Sequence, residues 1–97
     1  MNGRIEKNTI FFLNENAITE YFEDGAVLYT DESESFFAVD KFGAEILKYI
    51  EMNKRFTIES MVALFYEKYY VSKMELENDL VHYMQKLTDI GAIMIDK

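Results

Sequence analysis

The sequence predicts an α+β domain, a three-stranded antiparallel meander packed on three helices in the order βββααα. Two observations carry this. Apolar residues recur at a spacing of two in the first half of the chain and of about 3.6 in the second. Residues with turn and cap chemistry stand at the joints between those stretches. A small sheet laid against a helix trio is a stable two-layer solution, because each layer covers the other's apolar face.

Taken in order, Ile10-Phe11-Phe12-Leu13 is a short apolar run, either a strand or a segment packed on the core. Strands over 18–22 and 26–30 flank Asp24-Gly25, a pair that tolerates the positive φ angles of a two-residue hairpin turn. A polar loop, Asp31-Glu32-Ser33-Glu34, leads into a strand over 35–39. Asp40 then caps a helix running to about Met52, with Phe42, Ile46, Leu47 and Ile50 along one stripe. Thr57 caps the second helix, whose apolar face is Ile58, Met61, Val62, Leu64, Phe65 and Tyr69. Ser72 and Glu75 form an S-x-x-E capping box for the third. That helix carries Leu76, Leu80, Tyr83, Met84, Leu87 and Ile90, and Gly91 suits the left-handed position that ends it. Ile93-Met94-Ile95 adds a short terminal strand. The outline is winged helix-turn-helix-like.

Ninety-seven residues make one domain, spanning 1–97, with enough chain for a single core. Nearly half the residues are apolar and none is cysteine, so disulfides and thiolate metal sites are excluded together. The first residues lack the apolar core of a signal peptide, and no run approaches the ~20 apolar residues of a membrane span. A soluble, cytoplasmic protein without membrane contact is expected. Net charge is −8, and residues 1–39 carry two basic residues against eight acidic ones. No basic stripe exists to supply the electrostatic affinity that nucleic acid requires.

Catalytic chemistry finds no foothold. His82, the only histidine, stands two residues after Leu80 and points away from the apolar stripe, as a solvated side chain does. It has no cysteine partners for a metal and no nucleophile motif around it. Glu75, Glu77 and Asp79 lie near the start of the third helix, where the dipole favours negative charge. The four glycines build no phosphate loop. Neither an enzyme nor a bound cofactor or metal is expected. Met61 and Met84 fall on apolar stripes and read as core. Phe36-Phe37 differs, because successive strand residues point to opposite faces and only one of the pair can enter the core.

Several placed residues resemble the PqqD family of peptide chaperones, also called RiPP recognition elements. The matching stretches are Gly25-Ala26-Val27-Leu28-Tyr29, then Phe36-Phe37-Ala38-Val39-Asp40, then Phe42-Gly43-Ala44-Glu45-Ile46-Leu47. Later come Asp79-Leu80, Tyr83-Met84, Leu87 and Ile90-Gly91-Ala92-Ile93. The similarity covers roughly 18–95. Asp40 stands where the family often has asparagine, and Leu47 replaces a frequent tryptophan. The family's loop proline and glycine are missing from 31–34, and residues 1–16 lie outside the pattern.

The resemblance implies a stand-alone, non-catalytic module that captures the leader segment of a ribosomally made precursor peptide. It would present that peptide to a modifying enzyme, often a radical-SAM protein; the cysteine triplet of those enzymes is absent here. The leader of such modules adds as a strand beside the third strand and lies against the third helix. An edge strand offers unpaired backbone groups to such a peptide. Phe36, Phe37, Ala38 and Val39 are the candidate strand residues. Val81, Met84, Gln85 and Thr88, at i, i+3, i+4 and i+7, are the candidate groove wall.

Two other readings compete. A winged-helix DNA-binding regulator needs a neutral or basic recognition helix, whereas the third helix has two lysines against four carboxylates. A regulatory or assembly subunit could instead grip a folded protein through the sheet edge, without any precursor peptide. Elemental analysis and an absorbance spectrum of the purified protein are expected to show no stoichiometric metal or flavin. Binding to random duplex DNA is expected to be weaker than about 10⁻⁴ M near physiological salt. Gel-shift complexes at micromolar protein would restore the DNA-binding reading.

Overall fold

The computed structural model, which describes residues 5–31, 36–69 and 72–96, has two small three-stranded sheets and three helices. The elements are β1 (Phe11–Leu13), β2 (Ala17–Phe22), β3 (Gly25–Thr30), β4 (Phe36–Asp40), α1 (Lys41–Asn53), β5 (Arg55–Phe56), α2 (Ile58–Tyr69), α3 (Lys73–Asp89) and β6 (Ile93–Ile95). The polar loop over 32–34, the start of the strand at Ser35 and the side chain of Tyr69 lie outside the described residues.

The meander is present as an antiparallel sheet in the order β2-β3-β4. Its hairpin turn sits one residue earlier than Asp24-Gly25 predicts. Phe22 pairs with Gly25, so Glu23 and Asp24 make the turn, and neither has a positive φ. The glycine serves another purpose. It pairs with Asp40 across β3 and β4, and a Cβ there would lie 2.1 Å from the Val39 carbonyl oxygen. Only glycine lets the two backbones come that close.

Helix limits follow the cap chemistry. Asp40 is both the last residue of β4 and the N-cap of α1, its Oδ1 accepting from the Gly43 N–H at 2.9 Å. Thr57 Oγ1 accepts from the Ser60 N–H at 3.0 Å, and Ser72 Oγ from the Glu75 N–H at 3.1 Å. Gly91, at φ 79°, ends α3 as anticipated, with the Ala92 N–H reaching back to the Leu87 carbonyl at 2.9 Å.

A second sheet, ordered β5-β1-β6, was only half visible in the sequence. Residues 10–13 supply its centre and Ile93–Ile95 one edge, while the two-residue β5 gives no periodic signal at all. Lys54 takes φ 63° at the end of α1 and turns the chain into β5. Phe11 is fully buried and stacks on Phe56, with ring centroids 5.7 Å apart.

The core lies between the sheets and the helices. Leu76, Leu80, Met84 and Leu87 of α3 are wholly buried, as are Ile46 of α1 and Ile58 and Met61 of α2. Leu64 departs from its assignment to the α2 apolar face and is more than half exposed. At about 100° per residue it sits well off the Ile58/Met61/Val62/Phe65 stripe. Among the described residues, no helix is long and apolar enough to cross a membrane.

Gly25→Ala must push backbone against backbone, an overpacking that costs typically 1–3 kcal/mol. In a domain of this size the melting temperature is expected to fall by at least about 5 °C, read by circular dichroism. An unchanged melting temperature would contradict the tight β3–β4 approach.

Candidate functional site

β4 pairs with β3 on one side only, so among the described residues its outer backbone edge is unpaired. α3 runs alongside that edge, and the two enclose an open groove of about 540 Å³. Phe37, Val39, Phe42 and Tyr83 form its apolar floor, while Asp40, Asp79, His82 and Lys86 stand around it.

Strand alternation sorts the β4 side chains. Phe37 and Val39 turn inward, half-buried against the core, and Phe36 and Ala38 turn outward. Phe36 is 66% exposed and shares a cross-strand row with Tyr29 and Ile18. It therefore contributes backbone, not side chain, to the groove side of the strand.

Tyr83 closes the floor from the α3 side. Its ring lies 5.8 Å from that of Phe37 and 6.2 Å from that of Phe42, in tilted and edge-on contacts. Its hydroxyl donates to Asp40 Oδ1 at 3.5 Å, the same oxygen that caps α1. Burial pushes the phenol up to about 12, and the Asp40 and Asp79 carboxylates add to the shift. Tyr83 thus stays a neutral donor at any ordinary pH. Gly43 makes the junction possible. A Cβ on it would lie 2.3 Å from the Val39 Cβ and 3.0 Å from the Tyr83 hydroxyl.

Of the residues singled out from sequence, Phe37, Ala38 and Val39 line the groove. Val81, Met84, Gln85 and Thr88 do not. Met84 is completely buried, and Val81 packs half-buried on the core. Gln85 donates to the Asp89 carboxylate at 3.0 Å, and the Thr88 hydroxyl to the Met84 carbonyl at 2.7 Å. On the helical wheel, Val81, Gln85 and Thr88 flank the Leu76/Leu80/Leu87 stripe on one side, at about 100° per residue. Asp79, Tyr83 and Lys86 flank it on the other, and that flank faces β4. Periodicity locates the buried stripe but not which of its borders meets the sheet. One available signal was Tyr83 itself, an aromatic ring with a polar tip at the stripe's margin.

Chemically, the site is suited to holding an extended chain. It offers unpaired backbone, an apolar floor and charged margins. His82 is exposed on the rim. Among the described residues no three histidines or carboxylates are grouped to hold a metal ion.

Comparison with known proteins adds two findings. Among solved structures, TbiB1 in complex with the TbiA(beta) leader peptide has the same fold, with a TM-score of 0.73 and 22% sequence identity. The alignment covers 84% of this chain and 93% of that one. No curated protein sequence matches the chain. The family of coenzyme PQQ synthesis protein D matches residues 25–93, a stretch that runs from β3 into β6 and contains both walls of the groove. With well over half of its length matched, the chain belongs to the PqqD family.

Proposed function

We propose that this protein is a non-catalytic peptide chaperone that captures the leader segment of a ribosomally synthesised precursor peptide. The leader would pair with the free edge of β4, drop apolar side chains onto the Phe37/Val39/Phe42/Tyr83 floor, and be presented to a modifying enzyme, a radical-SAM maturase. The observation that carries this reading is the groove itself, an unpaired strand edge beside an aromatic floor. Backbone pairing gives affinity with little sequence preference, and the floor adds selection for apolar side chains. Membership of the PqqD family and a fold shared with TbiB1, which was solved with a leader peptide bound, support it.

A second reading has its own observation. Ile18 and Phe36, in one cross-strand row with Tyr29, and Phe22 further along β2 leave apolar side chains exposed on the outer side of the β2-β3-β4 sheet. Such a patch fits a regulatory or assembly subunit that grips a folded protein.

Amide chemical-shift mapping with the leader of a precursor encoded beside this gene separates the two. Perturbations are expected at residues 36–40 and 79–86, with an affinity from micromolar to tens of nanomolar, on the order of −8 to −10 kcal/mol. Tyr83→Ala should weaken binding by about 2 kcal/mol, roughly thirtyfold, while Gln85→Ala on the opposite flank leaves it unchanged. Shifts confined to α2, or to the outer side of the sheet, would exclude the groove as the leader site.

A further inference from the structure

The groove has unlike ends. β4 and α3 run in opposite directions past one another. Near the start of β4, the Thr30 hydroxyl at the end of β3 donates to the Ile90 carbonyl beyond the last turn of α3, at 3.3 Å. At the far end of β4, Asp40 meets Tyr83, and Asp79 stands one helical turn before that tyrosine. Lys86 lies three residues after Tyr83, towards the start of β4. Among the residues that line the groove, the carboxylates Asp40 and Asp79 thus stand towards one end and the cation Lys86 towards the other. Asp79 and Lys86 are exposed, and among the described residues neither makes an ion pair. Structural salt bridging does not account for them.

Spacing and strand chemistry turn this polarity into a specificity. Asp79 and Lys86 are seven helical residues apart, about 10 Å along the axis. In a peptide paired with β4, side chains facing α3 recur every second residue, about 7 Å apart. Three successive ones span about 14 Å, enough for the outer two to reach the charged ends while the middle one meets the apolar floor. Antiparallel pairing is the more stable of the two directions. It would run the peptide from the Asp40 end to the Lys86 end.

Resting on the leader-binding reading above, we propose that the groove reads charge order. It selects an extended segment of the form basic–x–apolar–x–acidic, the basic side chain lying against Asp40 and Asp79 and the acidic one against Lys86. Exposed ion pairs contribute little affinity each, but reversing both replaces two attractions by two repulsions. The order of charges then sets direction and register more than overall strength.

Four synthetic tridecapeptides test this, each with a five-residue centre flanked on both sides by two Ser-Thr repeats. The centres are Lys-Thr-Phe-Thr-Glu, its reversal Glu-Thr-Phe-Thr-Lys, a Gln-Thr-Phe-Thr-Gln neutral form, and Lys-Thr-Ser-Thr-Glu. Affinities are read from amide shift titrations at low salt, with peptide up to millimolar. The Lys-first peptide is expected to bind about three- to tenfold more tightly than the Glu-first one, a ratio that shrinks as salt is added. In the double variant Asp79→Lys with Lys86→Asp, the preference should reverse. If the phenylalanine peptides shift residues 36–40 and 79–86 with no dependence on charge order, the charge-order inference fails and groove binding stands. If none of the four perturbs the groove, while a precursor leader does, charge order is likewise not what the groove reads. If the leader is silent there as well, the leader-binding reading falls with it.

Discussion

β4 passes into α1 without a single intervening residue, and that handover constrains everything around it. Asp40 ends the strand and caps the helix, so the direction of α1 is set by the direction of β4. The first turn of α1 can lie that close only because position 43 has no side chain to collide with Val39. Tyr83 then reaches the same carboxylate from α3 and joins the third helix to this corner. Strand edge, groove floor and helix wall are thus oriented by one aspartate and one glycine. A loop at the junction would have left the strand free to tilt, and the groove width with it.

The second sheet holds the opposite side of the molecule together. Phe11 and Phe56 meet inside it, and Tyr49 of α1 packs edge-on against Phe56 and Phe65. These contacts tie α1 and α2 to β5 and, through Phe56, to β1. α1 thereby contacts both sheets, and α3 contacts β6 of the second. A groove whose wall is a helix benefits directly, since that wall is backed by buried Leu76, Leu80, Met84 and Leu87.

Much of this was legible in the sequence, for identifiable reasons. The caps at Asp40, Thr57 and Ser72 and the stop at Gly91 are local chemistry, and local chemistry survives folding. The β2–β3 hairpin was placed correctly but its turn was shifted, because Gly25 is required by its close approach to Val39 of the neighbouring strand β4. β5 escaped notice because two residues cannot display a period. The strand side of the groove, Phe37 to Val39, follows from an edge position that the meander order implies. The helix side did not follow, since Val81, Gln85 and Thr88 border the buried stripe as well as Asp79, Tyr83 and Lys86 do. Which border meets β4 is settled by the tertiary packing of α3, and that leaves no mark in composition or spacing.

The placement of β1 bears on the order of assembly. It lies between β5 and β6, and its register sets Phe11 opposite Ile95, more than eighty positions further along the chain. Closing so long a loop is entropically expensive, so pairs of this kind form late. The β2-β3-β4 meander joins segments close in sequence and has no such delay. The meander edge can take shape while β1 still lacks its partners, and the pairing of β1 with Ile93–Ile95 is the contact that closes the second sheet.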